Sequence, residues 1–308
     1  MNTDRYIRQV SVREFRAEAQ EKLQKSKVLV IGAGALGCPV LMYLTAAGVG
    51  TIGVLDSDEV NLSNLHRQVL YTEKNIDEPK ALAASKRLSE MNSTVKVIPH
   101  FTRLHKDNAL QLISQYDLVI ECSDNFPTKF LVNDACVMLG KPFIIGGVLK
   151  FSGQLSVYNY NGGPTYRCLI EEEPDPLEVP TCSEAGVIGM VPGIIGTMQA
   201  LEALKMVTGV GKVLSGRLLN FSGLDMSFTE FDITLNPKNL EITELAVYEH
   251  SCPDHILKAS EISPDVFLEM LNSNPPPMVL AFADDGIPIK VLGYEWETHP
   301  LYELPNMI

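Results

Sequence analysis

The sequence predicts an α/β fold: a Rossmann-like doubly wound sheet, parallel in its first half and continuing into antiparallel strands, with a short C-terminal appendage. Three observations predict it. Short apolar runs alternate with helical patterns from residue 28 to about residue 146, the signature of strand–helix–strand units. The first of these runs leads into Gly32, Gly34 and Gly37, spaced G-x-G-x-x-G. After residue 150 the alternation takes on a period of two at 153–160, and two more strand-like runs follow within 216–232, as expected of antiparallel strands.

The elements follow in order. Residues 1–24 read as helical segments; on periodicity alone, Arg5 and Arg8 in RYIRQVSV belong to a solvated helix face. Residues 28–31 form a buried strand, 38–47 a helix, and 51–55 a second strand ending at Asp56. Glycines at this turn let a phosphate approach the free N–H groups of a helix N-terminus, and an acidic residue closing the second strand can take ribose hydroxyls. These features alone define a nucleotide site without separating NAD from ATP. The polar run from Asp56 to Gln68 reads as a loop. Pro79 then opens a helix reaching about residue 92, which suits proline's missing N–H and puts Lys80 in the first turn. Residues 95–99 and 117–121 are strands, with a helix over 107–115 between them. The second of these strands leads into Cys122-Ser123-Asp124-Asn125, where ligands bind in open parallel sheets. A helix over 126–139, a strand over 141–146 and an apolar helix over 191–209 complete the sheet's framework. The acidic, proline-bearing run 166–186 reads as a loop, and long loops in compact domains are usually functional or mobile. In the tail, 264–272 reads as a helix and 278–282 as a strand.

Composition bounds the function. The chain has 308 residues, 45% hydrophobic, with a formal net charge of −13. Such a chain can hold a large core, and its acidity argues against a nucleic-acid partner. No apolar run is long enough to span a bilayer. The start, MNTDRYIRQV, is polar and charged, unlike a signal peptide. Six scattered cysteines make no disulfide framework. These points place the protein in the cytoplasm.

Taken together, RYIRQ, GAGALGC, LDSDEVNLSNLHRQ, the Pro79-Lys80 helix start, CSDN, and YRC followed by TCSEAGV closely resemble the ubiquitin-activating-like superfamily. The match is best to its MoeB/ThiF/HesA group, the molybdopterin-synthase and thiazole-pathway sulfur-carrier adenylyltransferases, and covers residues 4–255. The resemblance implies a domain over 1–250 that uses ATP and Mg²⁺ to adenylate the C-terminal carboxylate of a small ubiquitin-like carrier ending in Gly-Gly. Pyrophosphate leaves, and a separate sulfur donor attacks the acyl-adenylate. In this reading Gly32, Gly34 and Ala35 line the phosphates, Asp56 takes the ribose, and Asn64, Gln68 and Asn125 complete the nucleotide contacts. Arg67 and Lys80 neutralise the triphosphate and Asp124 holds Mg²⁺, a hard cation that prefers oxygen. Arg8 matches an arginine supplied by a neighbouring subunit, which implies a homodimer. The plain alternatives are that Arg67 and Lys80 are surface cations and that Asp124 caps the following helix.

Cys182 matches a cysteine that several relatives link covalently to the carrier, and a loop thiol beside an acyl-adenylate has the chemistry to attack it. Cys38 and Cys136 lie on apolar helices and Cys122 at a strand end, as core thiols would. The family's structural zinc uses two C-x-x-C pairs. Here these positions hold Thr165 and Cys168, then Cys252 and His255. Cys168, Cys252 and His255 are good ligands and Thr165 is a poor one, so tight Zn²⁺ binding is not expected. Residues 251–308 read as a short tail whose EISPDVFLEMLNSN resembles the start of a rhodanese domain. No cysteine follows Cys252, so the tail reads as a truncated remnant or a different appendage, and sulfur is expected from another protein. Two other functions fit parts of the pattern: an NAD(P)-binding Rossmann oxidoreductase, which leaves Arg67, Lys80 and Asp124 unused, and a catalytically inactive scaffold of the same fold.

Overall fold

The computed structural model describes residues 3–174 and 186–248, together with the backbone of four two-residue strands beyond them. Contacts divide the chain into two units, Met1–Ser251 and Cys252–Ile308.

The first unit is built on one eight-stranded sheet of order β3-β2-β1-β4-β5-β6-β7-β8. Its strands are β1 Lys27–Ile31, β2 Thr51–Leu55, β3 Lys96–His100, β4 Leu118–Glu121, β5 Phe143–Leu149, β6 Ser152–Tyr158, β7 Arg217–Ser222 and β8 Ser227–Asp232. Strands β1 to β5 pair in parallel, with β1 flanked by β2 (Val28↔Ile52) and β4 (Val28↔Leu118). From β5 onward every pairing is antiparallel, so the predicted change of character is present. Pro99, which cannot donate to a ladder, lies in β3 at the sheet edge, where proline is tolerated.

Seven α-helices lie among the described residues: α1 Thr3–Val10, α2 Arg16–Lys25, α3 Gly37–Ala47, α4 Lys80–Met91, α5 Lys106–Ser114, α6 Phe126–Leu139 and α7 Met190–Thr208. Alternation along the central strands sorts the core into two layers. Val28 and Val30 pack with α2, α3, α4 and α7 on one face, while Leu29 and Ile31 pack with α5 and α6 on the other. Both layers are apolar because a parallel sheet is covered on both sides.

Boundaries match the expected elements to within about two residues except at β5, which continues past Gly146-Gly147 to Leu149. The expected strand stopped at residue 146. A Cβ on Gly146 would lie 2.7 Å from the Gln199 side chain of α7, so this position lets a helix approach the sheet closely. Within 166–186, Tyr166–Cys168 form a 3-10 turn; residues 175–185 lie outside the described residues. So does the expected helix over 264–272, whereas Ala281–Phe282 of the second strand-like run is a strand paired in parallel with Thr298–His299. Lys290–Val291 and Tyr294–Glu295 pair antiparallel in the same unit.

Candidate active site

Strand order reverses between β1 and β4, and the loops leaving these two strands form a crevice where open α/β sheets bind ligands. The loop after β1 turns at Gly32, whose φ of +91° suits glycine. A Cβ there would lie 2.9 Å from the Cys122 carbonyl oxygen, and one on Gly37 would lie 2.0 Å from the Gly32 oxygen. Glycine at both positions therefore lets the loop, the start of α3 and the end of β4 close on one another. Ala33 N–H donates to Asp56 Oδ2 (2.7 Å), and the Tyr71 hydroxyl donates to Ala33 O (2.8 Å). Gly34 and Ala35 are partly exposed, and their N–H groups have no partner among the described residues. Unpaired N–H groups at a helix N-terminus favour an anion.

Asp56 also accepts from Asp58 N–H (2.8 Å). Burial pushes its carboxyl up, and Lys80 opposes the shift. Lys80 begins α4, as expected, but it is no surface cation: it is only 6% exposed. Its Nζ donates to Asp58 Oδ2 and its N–H to Asp58 O, both at 2.9 Å. Arg67 is partly exposed and donates to Ser63 O (3.1 Å), with Nη1 also 2.7 Å from His66 Nε2. The Asn64 oxygen accepts from Asn61 N–H (3.3 Å). Gln68 is buried over the glycine loop, its Nε2 3.6 Å from where a Gly34 Cβ would sit. Its Oε1 is buried with no hydrogen-bond partner among the described residues, and an unpaired buried acceptor is costly.

Across the crevice, Asp124 is exposed and has no partner among the described residues. It does not cap α6. Asn125 does, accepting from Thr128 N–H at 2.9 Å, so the capping alternative falls to the neighbouring residue. Open N–H groups, an orphaned amide oxygen and a free carboxylate around one crevice are a donor set that suits a phosphate carrying a hard cation.

Arg8 is not part of this crevice. Tyr6 and Gln9 fasten α1 to the far end of α3: Asn92 Nδ2 donates to the Tyr6 hydroxyl (2.8 Å), and Gln9 Nε2 donates to Gln20 Oε1 (2.6 Å) and Ala47 O (3.2 Å). Arg8 stays exposed there, about 16 Å of helix away from the glycine loop. Cys182, Cys252 and His255 lie outside the described residues. Cys38, Cys122 and Cys136 are buried as expected; burial pushes the Cys38 thiol up to about 12 and the other two upward as well.

Cys168 Sγ accepts from Thr165 N–H (3.4 Å), Asn236 N–H (3.4 Å) and Asn239 Nδ2 (3.5 Å), and lies 3.5 Å from Thr165 Oγ1. Burial pushes this thiol up, but the hydrogen bonds outweigh it and leave it below its usual value. Thr165 is fully buried and offers neither of the nitrogen or sulfur atoms that a closed zinc site takes. The described half of the family's zinc position therefore does not fit the metal.

Sequence reasoning missed four residues. Asp58 pairs with Lys80. Glu121, Lys129 and Gln199 form a buried polar group beneath the Cys122–Asp124 loop. Two signals were visible: a carboxylate ending the apolar run LVIE, and a single cation inside the apolar helix FPTKFLVNDACVML. Burial pushes the Glu121 carboxyl up, opposed by Lys129.

The fold is that of a doubly wound α/β protein with a polar crevice where its strand order reverses. The profile of the ThiF family matches residues 6–242, and the chain belongs to that family. Over 240 residues the chain is 49% identical to the sulfur carrier protein adenylyltransferase of Thermus thermophilus, covering 76% of this chain and 89% of that one. It is 48% identical over 255 residues to the adenylyltransferase and sulfurtransferase MOCS3 of Danio rerio, covering 80% of this chain and 56% of that one, so it spans just over half of that relative. Among solved structures, Escherichia coli MccB superposes with a TM-score of 0.67 at 20% identity, covering 77% of this chain and 73% of that one, a likeness of fold. No helix among the described residues is long and apolar enough to cross a membrane.

Proposed function

We propose that this protein is a cytoplasmic ATP-dependent adenylyltransferase acting on the C-terminal glycine carboxylate of a small ubiquitin-like sulfur-carrier protein. The carrier's carboxylate oxygen forms a bond to the α-phosphorus of ATP. The bond from that phosphorus to the bridging oxygen breaks, and pyrophosphate leaves with the electron pair. The resulting acyl-adenylate is then open to a sulfur donor on another protein.

The observation that carries this reading is the unsatisfied polar set at the β1/β4 crevice: the Gly34 and Ala35 N–H groups, Gln68 Oε1 and the Asp124 carboxylate. The names of the relatives at 49% and 48% identity supply the substrate class. In this reading the glycine loop holds the phosphates, Asp56 and Asn64 the ribose, and Asn125 and Gln68 the remaining polar edges. Arg67 and Lys80 face the triphosphate. Asp124 would hold Mg²⁺, which supplies positive charge to the phosphate oxygens when bound. Arg8 lies at the far end of α3, so its use at a site requires a second copy of the chain, and we assign a homodimer. Cys182 is the assigned nucleophile for a covalent carrier intermediate. Residues 251–308 are assigned as a separate appendage related to the start of a rhodanese, and no zinc is assigned.

The test is ATP–pyrophosphate exchange with Mg²⁺, with and without carriers ending in Gly-Gly. Carrier-dependent exchange is expected, and comparing carriers separates molybdopterin from thiamine pathways. Absence of exchange with every carrier in folded protein would move the assignment to another acyl substrate or to an inactive scaffold.

A further inference from the structure

The buried polar group beneath the Cys122–Asp124 loop holds the backbone of one residue, Ser123, on two sides. Ser123 N–H donates to Glu121 Oε1 at 2.6 Å, and Lys129 Nζ donates to Ser123 O at 2.7 Å. Lys129 and Glu121 close the bracket by pairing with each other through Oε2. Glu121 is fully buried and Lys129 is 8% exposed. Two further contacts anchor the pair to the sheet and to α7: Lys129 Nζ lies 3.5 Å from Gly146 O, and Gln199 Nε2 donates to Glu121 O at 2.9 Å.

A buried ion pair is weak evidence for stability, since an apolar pair of the same volume often serves as well. Its retention asks for another reason, and the geometry offers one. The carbonyl of Ser123 belongs to the peptide that leads directly into Asp124. Asp124 is exposed and has no bond of its own among the described residues to hold it. Its backbone is nevertheless located on both sides, by the Ser123 bracket before it and by the Asn125 cap after it.

We propose that Glu121 and Lys129 are positioning residues that hold the backbone of Asp124 in the orientation needed to bring a divalent cation to the nucleotide. A carboxylate that must meet both protein and cation geometry gains from a support that fixes it before the ligand arrives. The inference rests on the ATP and Mg²⁺ part of the proposed function and not on the identity of the carrier.

Calorimetric titration of ATP into the full-length protein tests it, once with Mg²⁺ and once in EDTA, comparing wild type with Lys129→Met and Glu121→Gln. Both variants are expected to lose about tenfold or more in affinity for Mg²⁺-ATP while metal-free ATP binds within about twofold of wild type, given the usual strength of supporting contacts at metal sites. The Glu121→Gln change is isosteric and keeps an acceptor for Ser123 N–H, so it serves where Lys129→Met does not fold. Equal losses with and without the cation, in protein with a native circular dichroism spectrum, would reduce the pair to a structural element and overturn the proposal. Wild-type affinity for Mg²⁺-ATP in either folded variant would overturn it too. Wild-type protein that binds no ATP at all would instead overturn the proposed function and this inference with it.

Discussion

In the proposed site, Asp124 and Gln68 would separate binding from stability. Asp124 is exposed and unpaired among the described residues, so Asp124→Ala is expected to change stability by no more than about 0.5 kcal/mol while abolishing pyrophosphate release. Retained turnover in that variant would refute the metal role. Gln68 presents the opposite case. Its oxygen is buried without a partner, a penalty of about 1–3 kcal/mol in the empty protein. Gln68→Leu should therefore melt at the same temperature as wild type or higher, and bind ATP more weakly. A clear fall in melting temperature would show that the oxygen has a partner after all. Both residues could be read from the sequence because each lies within a short contiguous run. Lys129 and Gln199 could not be assigned that way. Their partner Glu121 is 8 and 78 residues away, and only the packing of α6 and α7 on the sheet brings the three together. Asn64 and Gln68 were placed by motif alone; the buried, unpaired state of Gln68 depends on the loop that folds over it.

Among the elements, β3 carries a pH dependence. His100 Nε2 lies 2.8 Å from the Tyr116 hydroxyl, and burial holds the ring below its ordinary value of 6.5. As pH falls below 6.5, the unfolded chain takes up the proton first. It then binds more protons than the folded chain, and stability drops. This contribution is present above 6.5 and is lost as pH falls toward the depressed folded value. Urea midpoints at a neutral and a mildly acidic pH should therefore fall further for wild type than for His100→Gln; identical falls would dissociate the ring from the effect. The strand itself was readable from its apolar run, although the observed element starts and ends one residue later than expected, at Lys96–His100. The larger miss, β5, has a tertiary cause: two glycines signal a break locally, yet Gln199 of α7 fills the space at Gly146 and Gln154 of β6 that at Gly147.

For the molecule as a whole, the placement of α1 bears on the proposed homodimer, in which Arg8 would serve the site of a second copy. Arg8→Ala and Arg67→Ala subunits, each inactive alone, should recover part of the exchange activity when mixed, because one of the mixed sites carries both arginines. No recovery in verified mixed dimers would count against a contribution in trans. Sequence periodicity could show that α1 exists and that it exposes a cation. It could not show that Tyr6 and Gln9 would moor it at the far end of α3. The topology bears on how the chain comes together. Strands β1 to β3 are neighbours in sequence as well as in space, and so are β4 to β8; the two groups meet where β1 pairs with β4, at residues about 90 apart in the chain. That long-range pairing is the seam of folding, expected to close late because loop-closure entropy comes before contact energy. The nucleotide crevice lies along it, with Gly32 on one side and Asp124 on the other. A molecule seated there would stitch the seam, so its binding energy would also be folding energy, and the substrate of the proposed reaction would help to seal the newly made chain.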